Sequence, residues 1–234
     1  MLSLMPIAAR SGLWSAVFFF VLPIGVLAAE APLHQCFSIE FFYDSEKNEA
    51  TELQAKLQEF ADQRGGLILH FRDLHDSPEV KTRLDEIAKH FRLADVKLPA
   101  VYGMKHIVAD VQSPDQLNSR LNEILRMTAY VRYGCPHCAA TKAFLAKYGS
   151  RYPALEIVYK EVITSQAANQ EMQGLVRRYG QRAASLPVIH YCNGLTIGFD
   201  RESTTGKKIL QTLDYWSRSC ASQKKSSASN VNAN

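Results

Sequence analysis

Thr128-Ala129-Tyr130-Val131-Arg132-Tyr133-Gly134-Cys135-Pro136-His137-Cys138 is the stretch on which the fold turns. An apolar run with strand character leads into a CxxC pair, and Ala139 to Tyr148 then reads as a helix. Pro136 suits a first helical position, because proline has no N–H to leave unpaired there. The sulfur of Cys135 then sits just before the helix, where free backbone N–H groups and the positive end of the helix dipole favour a thiolate. The thiolate is the attacking species, and Cys138, one turn further in, is placed to resolve a mixed disulfide by attacking back on Cys135. His137 lies between the two cysteines, where an imidazole or imidazolium stabilises the Cys135 thiolate and makes the disulfide a better oxidant; a solvent-facing residue without consequence is the alternative.

A lone CxxC is also compatible with half a zinc site or a structural disulfide. Zinc needs about four ligands, and the chain has no second CxxC and no His pair at metal spacing. No metal is therefore expected as a resident cofactor. Paired thiolates do suit Cu(I), which keeps a copper-handling reading open.

Near the start of the 234 residues, Arg10 is followed by an apolar run from Leu13 to Ala29, interrupted by Pro23. Residues 1–29 read as a secretory signal peptide cleaved after Ala28 or Ala29, with an uncleaved anchor as the alternative. Leu33-His34-Gln35-Cys36 lacks the small residues of a lipoprotein signal. Export to the periplasm or beyond follows, or a membrane-anchored form facing the periplasm, and either places the cysteines in an oxidising compartment. The formal charge of +4 includes Arg10, Lys224 and Lys225, which leaves 4 − 3 = +1 on the body. A near-neutral body without a basic stripe argues against nucleic acid as a partner. The membrane is a partner only for an uncleaved chain.

After residue 29 the chain has length for two domains of about 100 residues. Strand-like Phe37 to Tyr43 is followed by a helix from Asn48 to Gln63, a strand from Leu67 to Phe71, and a helix opened by Ser77-Pro78. Two strand-like runs, Leu98 to Tyr102 and His106 to Ala109, precede a helix opened by Ser113-Pro114, which completes a βαβαββα unit. The order then repeats. Thr128 to Arg132 is a strand, Cys138 to Tyr148 a helix, Leu155 to Tyr159 a strand and Gln166 to Tyr179 a helix. Pro187 to Tyr191 and Leu195 to Phe199 form a hairpin around Asn193-Gly194, and a last helix carries Ile209, Leu210, Leu213 and Trp216. Tyr43 and Tyr133, Asp110 and Asp200, and Ser113 and Ser203 are each 90 residues apart, whereas Pro99 and Pro187 are 88 apart. The fold class is therefore α/β with two tandem copies, at 33–127 and 128–218, and a disordered tail at 219–234.

These residues resemble the thioredoxin superfamily. The second copy is similar to a glutaredoxin-sized member carrying the dipeptide of DsbA-type oxidases, on the strength of Cys135-Pro136-His137-Cys138, Leu186-Pro187 and Ile197-Gly198-Phe199-Asp200. The resemblance implies two thioredoxin-like domains, a cis Pro187 lying against the CxxC pair, and a peptide- or glutathione-binding surface that includes Ser185, Leu186, Pro187 and Arg132. It implies no cofactor beyond a redox-active Cys135–Cys138 disulfide, with glutathione as a candidate co-substrate. Expected partners are protein thiols and disulfides and a redox-recycling protein. In the first copy Ser45-Glu46-Lys47-Asn48 fills the CxxC slot, so that copy keeps the fold, with a cis Pro99, and lacks the dithiol. The expected function is exported thiol-disulfide exchange, acting as oxidase, isomerase or reductase. The alternative is a docking or assembly protein, or a Cu(I) metallochaperone using the same dithiol.

Three cysteines remain. A bridge between Cys192 and Cys220 is conceivable, leaving Cys36 as a buried thiol, an intermolecular partner or a participant in exchange. Lys160 and Glu161, at a strand end, are candidate proton-transfer groups, with an exposed strand end as the bland reading.

Overall fold

Strand β1 (Gln35–Tyr43) alternates Phe37, Ile39 and Phe41 on one face with Ser38, Glu40 and Phe42 on the other. Both faces are largely buried, which places this strand at the centre of a sheet covered on two sides. The computed structural model describes residues 34–47 and 50–220. The expected signal peptide and residues 221–234 of the expected tail lie outside the described residues. No described helix is long and apolar enough to cross a membrane.

The element order is β1, α1 (Ala50–Arg64), β2 (Leu67–Asp73), α2 (Pro78–Phe91), β3 (Ala100–Gly103), β4 (His106–Val108) and α3 (Pro114–Ile124). It continues with β5 (Arg126–Val131), α4 (Pro136–Tyr148), β6 (Glu156–Glu161), α5 (Gln166–Arg178), β7 (Val188–Tyr191), β8 (Gly194–Ile197), α6 (Lys207–Trp216) and β9 (Ser217–Ser219). The first sheet runs β2-β1-β3-β4 and the second β6-β5-β7-β8. In each the first pair is parallel and the hairpin antiparallel. This is the thioredoxin-like βαβαββα order, present in both sheets.

Strand pairing refines the repeat. Glu40 pairs with Tyr102 and Phe42 with Ala100, while Thr128 pairs with His190 and Tyr130 with Val188. Each residue in the second set stands 88 positions after its counterpart (128 − 40, 190 − 102). The parallel pairs Glu40–His70 and Thr128–Val158 keep the same spacing. The 90-residue matches of Tyr43, Asp110 and Ser113 thus fall two residues out of strand register. The hairpin turn also moves by one residue: Tyr191 pairs with Gly194, so the turn is Cys192-Asn193 rather than Asn193-Gly194. Both turn residues have positive φ (48° and 46°), as the two-residue turn that matches strand twist requires. Met104-Lys105 makes the same turn in the first sheet. The Leu98-Pro99 and Leu186-Pro187 bonds are both cis.

The two sheets share one apolar core. Phe37, Ile39, Leu57 and Leu121 belong to the same cluster as Met127, Phe144, Ile189 and Leu213. Phe37 stacks on Tyr152, with ring centroids 5.9 Å apart, and Arg64 Nε donates to the Ala154 carbonyl at 3.0 Å. Gly66 sits at this junction with φ +67°, and a Cβ there would lie 2.6 Å from Pro153. A side chain at position 66 would therefore strain the backbone and separate the halves.

The ordered chain runs past the boundary expected at residue 218. β9 pairs antiparallel with β1, Gln35 against Ser219 and Phe37 against Ser217. Cys220 closes a disulfide with Cys36, across 184 residues of sequence. The bridge is therefore not Cys192–Cys220, and Cys192 is a buried free thiol pushed up to about 12 by that burial. The disulfide holds the C-terminal strand of the second half on the first sheet, adding a cross-link where three strand residues alone contribute little. For a loop this long, chain entropy sets a ceiling of about 5 kcal/mol on the stabilisation. Replacing both Cys36 and Cys220 by Ala is expected to lower unfolding free energy by about 2–5 kcal/mol, measured by urea denaturation; an unchanged midpoint contradicts a structural role for the bridge.

Candidate active site

Cys135 stands at the junction of β5 and α4. β5 is buried from Met127 to Val131, which fixes where the chain leaves the sheet. Arg132 to Gly134 then turn it, with Gly134 at φ +72°, a left-handed conformation that glycine adopts without steric cost. Cys135 caps α4 in extended backbone, and Pro136 opens the helix. The N–H of Cys138 donates to Cys135 Sγ at 3.3 Å, so the sulfur takes the place that a Ser or Asp oxygen fills at other helix starts. Helix α4 is held down by Thr141, Phe144 and Leu145, all buried, and Thr141 Oγ1 donates to the His137 carbonyl at 2.9 Å.

Burial raises the Cys135 thiol, but it is outweighed by the Cys138 thiol, the backbone N–H groups of Cys138 and His137, and the Arg132 charge. The net position of Cys135 is below an ordinary thiol. Cys138 moves the opposite way, to about 11, because it is more deeply buried and donates its proton toward Cys135. Cys135, 7% exposed against 1% for Cys138, is thus the more readily ionised of the two, which suits Cys135 to attack and Cys138 to resolution.

A groove of about 360 Å³ beside Cys135 is lined by Arg132, Tyr133, Pro136, Ala139 and Lys142 among others. Arg132 and Lys142 supply its charge, and no acidic side chain lines it. Tyr133 is 97% exposed, an aromatic ring left in water next to the reactive sulfur. Lys142 and Tyr133 were absent from the sequence-based site. The spacing 135, 138, 139, 142 carries the signal, since positions i, i+3, i+4 and i+7 share one helix face.

His137 Nδ1 lies 2.6 Å from the Phe199 carbonyl, which ties the ring to the segment before α6. The backbone N–H of His137 also favours the Cys135 thiolate. Leu186 packs against the apolar cores on both sides of the second sheet, and Ser185 faces Gly198. Leu186, Pro187 and Ser185 are not among the residues lining the groove. Lys160 is paired with Glu171 at 2.5 Å, and Glu161 accepts the Ile163 N–H at 2.9 Å, so both strand-end groups are engaged locally. In the first copy, Asp44, Glu46 and His75 gather near the end of β1, with His75 Nε2 2.9 Å from Asp44.

No protein-family model matches the chain, and no curated protein matches it. Among solved structures it is similar to a glutaredoxin from Archaeoglobus fulgidus, at 17% identity over 37% of this chain and 89% of that one, with a TM-score of 0.28. It is also similar to the NTD_N/C domain of alkylhydroperoxide reductase AhpF from Enterococcus faecalis, at 17% identity over 74% of this chain and 89% of that one, with a TM-score of 0.27. The chemistry of the site rests on its own geometry.

The rate of alkylation of Cys135 by iodoacetamide is expected to follow an ionisation below the ordinary thiol value of about 8.5, with Cys138 reacting more slowly. Arg132→Gln removes a charge that favours the thiolate, so the inflection should move to higher pH. An inflection at the free-cysteine value in the unmodified protein contradicts the assignment.

Proposed function

We propose that this chain is an exported thiol-disulfide oxidoreductase that exchanges disulfides with protein substrates. The observation that carries the proposal is the sulfur of Cys135 accepting the Cys138 N–H at the start of α4. The opposed acidities of the two thiols support it. Export is supported by the Cys36–Cys220 disulfide, since structural disulfides persist in oxidising compartments.

In the reducing direction, the Cys135 thiolate attacks a substrate disulfide. The Cys135–substrate S–S bond forms, the substrate S–S bond breaks, and one substrate sulfur leaves as a thiolate. Cys138 then loses its proton and attacks Cys135 Sγ, which closes the Cys135–Cys138 disulfide and releases the second substrate sulfur. That sulfur takes up a proton, and two electrons have passed to the substrate. In the oxidising direction the same steps run backwards from the closed disulfide. The potential of the pair and the redox partner that recycles it set which direction dominates. Arg132 and Lys142 flank the groove where the mixed disulfide forms and favour substrates with carboxylates near the exchanged sulfur. Glutathione fits that chemistry as a co-substrate.

Cys135→Ser is expected to abolish dithiol-dependent reduction of an insulin-type test disulfide. Cys138→Ser is expected to accumulate a mixed disulfide with the substrate, seen as an added mass that dithiothreitol removes. Full turnover by Cys135→Ser overturns the proposal.

A further inference from the structure

The cleft that concerns us lies on the first sheet, on the face opposite the shared core. Its floor carries Glu40 from β1 and Tyr102 from β3, one wall is Arg83 from α2, and the other is Trp216 and Arg218 at the end of α6 and in β9. Arg72 from β2 lines the far side, and the open cleft has a volume of about 550 Å³. That size suits a small organic molecule.

The charges in this cleft do not balance. Arg83 donates twice to Glu40 Oε1, at 2.8 and 3.2 Å. Arg72 Nε lies 3.3 Å from Glu40 Oε2, yet this buried donor makes no hydrogen bond. Arg218 donates from Nη1 to the carbonyls of Tyr215 and Ser217, and among the described residues its other guanidinium nitrogens have no hydrogen-bond partner. Three guanidinium groups therefore meet two carboxylates, Glu40 inside the cleft and Glu86 at its edge, 3.9 Å from Arg83 Nη1. His70, beside them, is held below the ordinary imidazole range by burial, with Arg72 adding to the effect.

The second copy shows what these positions do when they serve stability alone. Lys160 and Glu171 stand 88 residues after Arg72 and Arg83 and neutralise each other in a 2.5 Å ion pair. At the position of Glu40 is Thr128, which is buried. The duplicated frame thus has a closed, neutral solution, and the first copy departs from it by placing an arginine at each of the two positions. One of these arginine donors, Arg72 Nε, is buried without a hydrogen-bond acceptor, a cost to stability that a bound acceptor would offset.

Aromatic rings complete the site. Trp216 meets Tyr102 edge to face at 6.4 Å and Tyr215 at 5.1 Å, and Arg83 lies over the Tyr102 ring at 5.5 Å. Arg83 takes one face of Tyr102, while Tyr215 and Trp216 line the cleft beside the guanidinium groups, a setting that fits a planar ring bearing an oxyanion.

We infer that the cleft between β1, α2 and β9 is a binding site for a small, ring-bearing oxyanion, a phosphate ester or a carboxylate, held by Arg72, Arg83 and Arg218 against Tyr102 and Trp216. The site is separate from the dithiol. Its wall at Trp216 and Arg218 is fixed by β9 and the adjacent Cys36–Cys220 bridge.

The test is isothermal titration of the full chain, in phosphate-free buffer, with phenyl phosphate, benzoate and benzyl alcohol. Saturable binding of either anion, with benzyl alcohol silent, is expected. The tighter of the two anions identifies phosphate or carboxylate as the recognised group. Arg72→Gln and Arg218→Gln should each weaken binding about tenfold, the effect of losing one charge-assisted hydrogen bond. Arg218 is at the rim, so its variant reports on the site even where Arg72→Gln fails to fold. The inference is overturned if neither anion binds, if benzyl alcohol binds equally well, or if binding is indifferent to Arg72 and Arg218.

Discussion

The N–H of Cys138 reaches back to the sulfur of Cys135, and the second half of the molecule is arranged so that this one contact can form. β5, buried at the centre of its sheet, fixes the exit point of the chain, Gly134 supplies the turn, and Pro136 starts the helix without wasting a donor. Packing of Phe144 and Leu145 into the core keeps α4 from pivoting. Because helix-end N–H groups otherwise seek water, a sulfur that accepts one is a better thiolate and a worse thiol. The asymmetry between the two cysteines follows from this contact and from the deeper burial of Cys138.

The same frame is used twice with different outcomes. In the second half the face beyond β5 is closed by Tyr130, Met172 and Val176 and by the Lys160–Glu171 pair. In the first half the corresponding face is closed by α2 only toward Phe42 and Ala100, and around Glu40 it stays open as an arginine-lined cleft. The halves are bound together by the Phe37–Tyr152 stack and by the return of β9 to β1. These contacts place the dithiol and the cleft within one compact unit.

Much of this was legible in the sequence, and the exceptions have physical causes. The order of strands and helices could be read because the core faces follow helical and strand periods, and Ser113-Pro114 did begin a helix, with Ser113 accepting the Gln116 N–H. Asn193-Gly194 misplaced the hairpin turn by one residue, since strand pairing rather than turn preference set the register. β9 was invisible: Ser217-Arg218-Ser219 has no apolar pattern and forms only because Cys220 and β1 meet it. The Cys36 pairing was hidden for the same reason, as 184 residues separate its partners. The arginine cleft gathers residues from six separate elements, and no local motif announces it. The dithiol, by contrast, is local, and its helix-start chemistry could be read directly from Cys135-Pro136-His137-Cys138.

The most direct test of the central claim is a redox titration of the full chain in glutathione buffers, with free thiols alkylated and counted by mass at each point. The dithiol account predicts that Cys135 and Cys138 lose their reactivity together in a single two-electron transition, while Cys36–Cys220 stays closed throughout. A Cys135 that is oxidised while Cys138 remains a free thiol across the whole range, or a pair that stays reduced under oxidising conditions, contradicts it.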